Sequence, residues 1–141
     1  MRRIDKIILH CTATPEGKDF TVQQIRDWHV KGNGWSDIGY HFVIDRNGVV
    51  HNGRPVEKIG AHTKGQNAHS IGIAYVGGIT NDGKKTPKDT RTPAQRVAIV
   101  QLVKKLKELY GGHITIHGHN EFAAKACPSF KIKDDPELCA L

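Results

Sequence analysis

The sequence predicts a single α/β domain with a mixed central β-sheet flanked by helices. The apolar runs KIILH and SIGIAYVGG are short and rich in β-branched residues, as in strands that are covered on both faces. Two helix starts, at Thr21 and Thr92, alternate with these strand patterns. The length of 141 residues is that of one domain with its own core. We therefore expect residues 1–141 to form one unit without repeats or linkers.

The first part of the chain predicts a strand followed by a helix. The run KIILH predicts a strand that ends at His10. After a polar loop, Thr21 and Gln24 have the spacing of a capping box, which indicates the start of a helix. Gly32 and Gly34 are expected to end that helix.

A β-hairpin and a central strand are predicted next. In YHFVIDRNGVVHNG, the pair Asn47 and Gly48 separates two β-rich runs. This pair favours a type I′ turn, which needs positive φ at both central residues. The nearly continuous apolar run SIGIAYVGG, from Ser70 to Gly78, is typical of a strand in the middle of a sheet.

A long amphipathic helix is predicted in the second half. Thr92 and Gln95 form a second capping box, and Pro93 follows the cap at the first helical position. Gly111 lies just past the expected end. The predicted buried stripe consists of Ile99, Leu102, Val103, Leu106, Leu109 and Tyr110. The run HITIHGH then returns to a strand pattern.

Charge and cysteine content narrow the class of protein. The formal net charge of +7 predicts attraction to polyanions, such as nucleic acid or an anionic bacterial cell wall. Three cysteines are an odd number, which argues against a disulfide framework and fits a reducing compartment. The start MRRIDKIILH lacks a cleavage site, and no run is apolar for long enough to span a membrane. We expect synthesis in the cytoplasm without a signal peptide.

Histidines and a cysteine follow predicted strand ends in IILHCTAT and GHNEFAAKACPSF. A catalytic zinc takes three nitrogen, sulfur or oxygen ligands and leaves a fourth position for water. Neighbours on a strand point to opposite faces, so only one of His10 and Cys11 can face a site, and we select His10. His117 and His119 share strand parity, and periodicity leaves both open as a second ligand. His119 lies closer to Cys127, the expected thiolate ligand.

Two further side chains fit hydrolytic chemistry at such a site. Lys125, two residues before Cys127, would bring a positive charge that stabilises the oxyanion formed when hydroxide attacks a carbonyl. Tyr40 would place a phenol there for the same purpose or for proton transfer.

A thiol protease is the alternative chemistry for these residues, with Cys127 as nucleophile and His10 or His119 as base. Pro128 and the lack of a helix start at Cys127 count against it, because a helix N-terminus is a common means of lowering a thiol pKa. Cys11 and Cys139 are interpreted as a buried thiol and a tail residue.

Four segments together resemble a known family: ILHCTAT, WSDIGYHFVIDRNGVVHNGR, GAHTKGQNAHSIGIAYVGG and GHNEFAAKACPSF. In this order they are similar to the zinc-dependent N-acetylmuramoyl-L-alanine amidases, which include short phage lysozymes of amidase type and the animal peptidoglycan recognition proteins. The likeness runs from His10 to Phe130. It implies one amidase domain over residues 1–141, with one Zn²⁺ per chain in a surface groove.

The resemblance also implies roles for individual residues. The zinc ligands would be His10, His119 and Cys127. Tyr40 and Lys125 match the catalytic helpers of the family.

The implied substrate is bacterial peptidoglycan, with His62 and Asn67 of GAHTKGQN lining the substrate groove. The reaction would be hydrolysis of the amide between the lactyl group of N-acetylmuramic acid and L-alanine. We expect a monomer that acts as a phage or prophage endolysin on the cell wall, after release across the inner membrane. The motif HNEF departs from the usual family surroundings of the second histidine, and only a short tail follows Phe130.

Two other functions are considered. A non-catalytic peptidoglycan-binding module would use the same groove, but some relatives of that kind lack the cysteine that is present here as Cys127. The charge and the run KKLKELY suggest a nucleic-acid binder. These lysines fall on the solvent side of the predicted amphipathic helix without a nucleic-acid motif, so nucleic acid is not favoured as a partner.

Overall fold

Five of the seven strands form the central sheet. The computed structural model describes residues 1–141. The strands are β1 (Lys6–Cys11), β2 (Thr14–Pro15), β3 (Phe42–Ile44), β4 (Val50–Asn52), β5 (Ser70–Tyr75), β6 (Gly78–Ile79) and β7 (Thr115–Gly118). The order across the sheet is β4-β3-β5-β1-β7, in which only β4 is antiparallel to its neighbour, while β2 and β6 form a separate ladder. This arrangement confirms the predicted mixed sheet, with SIGIAY at its centre.

Three helices accompany the sheet: α1 (Val22–Asp27), α2 (Pro93–Tyr110) and α3 (Pro136–Cys139). Both predicted capping boxes are present at the starts of α1 and α2. A π-helical turn continues α1 as far as Gly32, where the sequence predicts its end. The terminal α3 is not among the predicted elements. None of the helices combines the length and apolar character that crossing a bilayer requires.

The two faces of the sheet pack against different partners. Ile7, Leu9 and Cys11 point to the face covered by α2, where the larger core cluster lies. Because side chains alternate along a strand, His10 points to the opposite face, as expected. There a smaller cluster contains Ile25 of α1. The α2 face therefore supplies most of the apolar burial, and the other face is free for polar groups.

The predicted stripe of α2 is correct except at its end. Ile99, Leu102, Val103 and Leu106 are buried. Leu109 is 62% exposed, so its prediction as a core residue is wrong. It lies in the last turn of the helix, beside the edge strand β4, which has only three residues and is too short to cover it.

The predicted hairpin is present as β3 and β4, but its turn is not of type I′. Gly48 has a positive φ of 81°, whereas Asn47 does not. The carboxylate of Asp45 accepts hydrogen bonds from the N–H groups of Asn47 and Val49, which holds Asn47 in an ordinary conformation. Gly48 also lies against the start of α2, since an added Cβ would come within 2.7 Å of the Ala94 carbonyl oxygen.

Gln95 joins the start of α2 to two strands. Its side chain is fully buried and its Oε1 accepts the backbone N–H of Thr92. Its Nε2 donates to the carbonyl oxygens of Ile44, the last residue of β3, and of Val76, directly after β5. Gln24 has the same capping position in α1 but is exposed.

We expect Gln95→Ala to lower the free energy of unfolding by about 2–4 kcal/mol, because buried polar groups lose their partners. The matched change at the exposed capping box, Gln24→Ala, should cost about 1 kcal/mol or less. Urea denaturation of both variants measures the difference. Equal losses would contradict the role assigned to Gln95.

Candidate metal centre

Parallel pairing of β1 with β7 brings two histidines together. The register places Leu9 opposite Gly118, so His10 and His119 follow side by side at the carboxyl edge of the sheet. Their ring centroids are 4.7 Å apart, and both side chains are buried. The two motifs therefore meet at strand ends, where sites in sheets of this kind are commonly found.

Cys127 completes the cluster from the loop after β7. Its Sγ lies 3.7 Å from Nδ1 of His10. The backbone N–H of Cys11 donates to the same sulfur at 3.3 Å. One nitrogen or sulfur atom from each of His10, His119 and Cys127 lies within 4.8 Å of the others, so these three residues form a group that can hold a metal ion.

Two hydrogen bonds anchor the segment directly after Cys127 to β5 and β6. The Tyr75 hydroxyl, from the last residue of β5, donates to the Pro128 carbonyl oxygen at 2.7 Å. The Ser129 hydroxyl donates to the Gly78 carbonyl oxygen at 2.8 Å. These bonds fix the backbone directly after Cys127, so the position of its sulfur is set by the sheet.

The protonation state of His10 and His119 favours binding of a metal ion. Burial lowers the pKa of His10 well below its ordinary value, and positive charge on His62, His119 or Lys125 lowers it further. Burial also lowers the pKa of His119, with a further contribution from Lys125. Both rings are therefore neutral at pH 7, which is the form that binds metals.

The thiol and phenol at the site are both held in their neutral forms by their surroundings. A hydrogen bond with Cys11 and burial raise the pKa of the Cys127 thiol. Burial, followed by the nearby thiols, raises the pKa of Tyr40. A cation would reverse this preference at Cys127, because a coordinating thiol is deprotonated. Two neutral imidazoles and one thiolate are a donor set that zinc accepts.

The structure distinguishes between the two candidate ligands His117, in β7, and His119, directly after β7. Nδ1 of His117 lies 2.9 Å from Glu121 Oε1, and its Nε2 lies 2.7 Å from Thr115 Oγ1. Both nitrogens of His117 thus have partners away from Cys127. His119 alone joins the cluster.

The predicted catalytic helpers lie beside this cluster. The Tyr40 ring centroid is 5.2 Å from that of His10. Lys125 is exposed on the Cys127 loop, and its charge is close enough to lower the pKa of both ligand histidines. Their positions are compatible with the predicted roles, which remain proposals about catalysis.

The two predicted substrate-binding residues are engaged with the protein interior. His62 is 9% exposed, and its Nδ1 lies 2.9 Å from Nε2 of His10. The Asn67 side-chain oxygen accepts the backbone N–H groups of His62 and Thr63. Contact of His62 and Asn67 with substrate stays a prediction.

Sequence reasoning did not select three residues that support the cluster. Thr63 lies 3.2 Å from Nε2 of His10, Ser70 contacts His62, and Tyr75 anchors the Cys127 loop. The only sequence feature that could have suggested Thr63 is its position directly after His62. Ser70 and Tyr75 lie within an apolar run and appear in sequence only as the ends of a strand.

The sheet, with two buried histidines and a half-buried cysteine grouped at its carboxyl edge, defines a class of α/β protein suited to metal-assisted hydrolysis. The family model described as N-acetylmuramoyl-L-alanine amidase matches residues 1–130. The chain belongs to this N-acetylmuramoyl-L-alanine amidase family.

Relatives and solved structures agree with this membership. The endolysin of Klebsiella phage KP32 is 45% identical over 128 residues, which cover 91% of this chain and 82% of that protein. The endolysin of Escherichia phage T7 is 44% identical over 92% of this chain and 83% of its own length. The solved amidase LysC from Clostridium intestinale URNW has a TM-score of 0.81 at 29% identity, over 99% of this chain and 85% of LysC.

A further buried histidine lies on the same face of the sheet. The backbone N–H of Gly72 donates to Nδ1 of His41, so the ring carries its proton on Nε2, which donates to the Lys58 carbonyl oxygen. Burial lowers the pKa of His41 to about 4. The folded chain therefore keeps this ring neutral in mild acid.

The shift at His41 makes stability depend on pH. Between its ordinary pKa of 6.5 and about 4, the unfolded chain binds a proton at His41 that the folded chain does not. Stability thus falls as the pH falls through this window, by up to about 1.4 kcal/mol per pH unit. We expect His41→Gln to give a shallower dependence of unfolding free energy on pH, measured by urea denaturation in the presence of a chelator. Identical slopes would refute this assignment.

Proposed function

We propose that the protein is a zinc-dependent endolysin that hydrolyses the amide between N-acetylmuramic acid and L-alanine in bacterial peptidoglycan. The observation that carries the proposal is the convergence of His10, His119 and Cys127 at one edge of the sheet. Amidase activity on peptidoglycan follows from membership of the family. Residues 1–141 would act as one amidase domain and as a monomer. The enzyme would reach the cell wall of the host bacterium after release across the inner membrane.

His10, His119 and Cys127 would hold one Zn²⁺. When bound, zinc lowers the pKa of water and polarises a carbonyl oxygen, so that hydrolysis proceeds at neutral pH. The two neutral imidazoles supply lone pairs without adding charge, while the thiolate cancels one of the two positive charges of the ion. The ligand set thus leaves a net positive site.

Tyr40 and Lys125 would stabilise the charge that develops on the substrate. Because its pKa is raised, the phenol of Tyr40 is protonated at pH 7 and can donate a hydrogen bond to the carbonyl oxygen as it becomes negative. Lys125, exposed at the rim, offers a cation for the same oxygen. In this proposal Asn67 keeps its predicted place along the substrate groove.

The surroundings of Cys127 count against the thiol-protease alternative. A nucleophilic cysteine needs a lowered pKa, whereas contact with Cys11 and burial raise that of Cys127. No helix begins at Cys127, so the thiol also lacks the helix N-terminus that commonly lowers a cysteine pKa. A ligand role uses the same geometry without these difficulties.

Cys127→Ser should abolish both zinc binding and amidase activity while leaving the fold largely intact, because the site loses its thiolate. Metal content per chain, circular dichroism and mass spectrometry of peptidoglycan digests measure the three properties. Cys139→Ser, at an exposed cysteine, is the control and should retain zinc and activity. Undiminished release of stem peptides by chelator-treated protein would show that the proposed mechanism is wrong.

Lys125→Ala should keep zinc but slow turnover by a factor on the order of 10²–10³, as expected when one stabilising group for an oxyanion is lost. The same change at Lys131, an exposed lysine on the neighbouring segment, serves as the control. Zinc content and initial rates on purified peptidoglycan separate the two effects. A Lys125→Ala variant with the rate of the parent protein would exclude Lys125 from catalysis.

A further inference from the structure

The two ring nitrogens of His10 have different surroundings. Nδ1 lies on the side of Cys127, whose sulfur is 3.7 Å away. Nε2 lies 2.9 Å from Nδ1 of His62 and 3.2 Å from Thr63 Oγ1. A neutral histidine that offers Nδ1 to a cation carries its proton on Nε2. The Nε2–H group of His10 therefore needs an acceptor on the side away from Cys127.

His62 can accept the hydrogen bond of the His10 Nε2–H group directly or through the Thr63 hydroxyl. Its Nδ1 accepts from His10 directly or from the Thr63 hydroxyl, which lies 3.0 Å away and can itself accept from His10. The proton of His62 is then on Nε2, which lies 3.3 Å from Ser70 Oγ. Ser70 is completely buried. A chain of donors and acceptors thus runs from His10 to the start of β5.

The fold makes room for the His62 ring. A Cβ added at Gly72 of β5 would lie 2.6 Å from ring atoms of His62, and one added at Gly60 would lie 2.7 Å from the same ring. The Asn67 side chain holds the backbone of His62 and the following residue. The two glycines therefore leave space for the His62 ring, and the Asn67 side chain fixes the backbone that carries it.

We propose that His62 is a positioning residue for the metal centre. By accepting the hydrogen bond of the His10 Nε2–H group, directly or through the Thr63 hydroxyl, it fixes the tautomer and orientation in which Nδ1 of His10 faces Cys127 and His119. This inference rests on the proposed zinc-dependent function, and it replaces the predicted substrate contact of His62 with support of a ligand. Removal of such an outer partner typically weakens metal affinity about 10–100-fold.

The test measures zinc affinity by competition with a chromophoric chelator at constant pH. His62→Ala should raise the Kd for zinc about 10–100-fold relative to the parent protein. His62→Asn should recover most of the affinity, because its side-chain oxygen can occupy the place of Nδ1. His51→Ala, in the distant strand β4, is the matched control and should bind zinc like the parent protein. Sedimentation of the chelator-treated His62→Ala variant with peptidoglycan should equal that of the parent.

The outcomes that would overturn the inference are distinct. Zinc affinity of His62→Ala within about twofold of the parent, well below the typical 10–100-fold loss, would overturn the positioning role. If His62→Ala does not fold, His62→Asn is compared with His62→Gln, whose amide extends to the place of Nε2. The proposal requires tighter zinc binding by the Asn variant, and equal affinities would overturn it. If the parent protein binds no zinc in the chelator competition, the proposed function itself is overturned, and this outcome is distinct from failure of the positioning role.

Discussion

The pairing of β1 with β7 is the constraint on which the site depends. These strands are separated by more than a hundred residues in sequence, yet their register sets Leu9 opposite Gly118. A shift of one residue would turn the side chains of β7 to the other face, because side chains alternate along a strand. The proximity of His10 and His119 is therefore a consequence of backbone hydrogen bonding in the sheet, which the α2 core on the other face maintains.

A division between the two faces of the sheet gives the site its electrostatic character. The apolar face buries the α2 stripe, and the opposite face buries several histidines in neutral form. Burial costs a neutral imidazole little when its N–H group has an acceptor, and each of His10, His41 and His62 has a polar neighbour within hydrogen-bond distance. The same burial that lowers their pKa values keeps the rings available as acceptors or ligands. Burial of these histidines therefore serves both packing of the sheet face and their function as neutral ligands or hydrogen-bond acceptors.

The loop that carries Cys127 shows how a ligand outside the sheet can still be fixed by it. Tyr75 and Ser129 link this loop to β5 and β6 through single hydrogen bonds of 2.7 and 2.8 Å. Arg91 lies over the Phe130 ring at 3.5 Å and forms an ion pair with Asp135, which ties the following segment to the start of α2. The sulfur therefore stands on a well-supported loop, although no regular element contains it.

The sequence by itself determined the main secondary-structure elements and the residue types of the metal centre. Periodicity and capping residues predicted the five strands of the central sheet and both main helices, because these signals are local, and the family motifs indicated the ligands and helpers. The tertiary structure decided what depends on distant contacts. It left Leu109 exposed beside a short edge strand and paired His117 with Glu121 instead of the cluster. It also joined His62 to His10 through their ring nitrogens. Such choices follow from register and close packing between segments far apart in the chain, which no local pattern encodes.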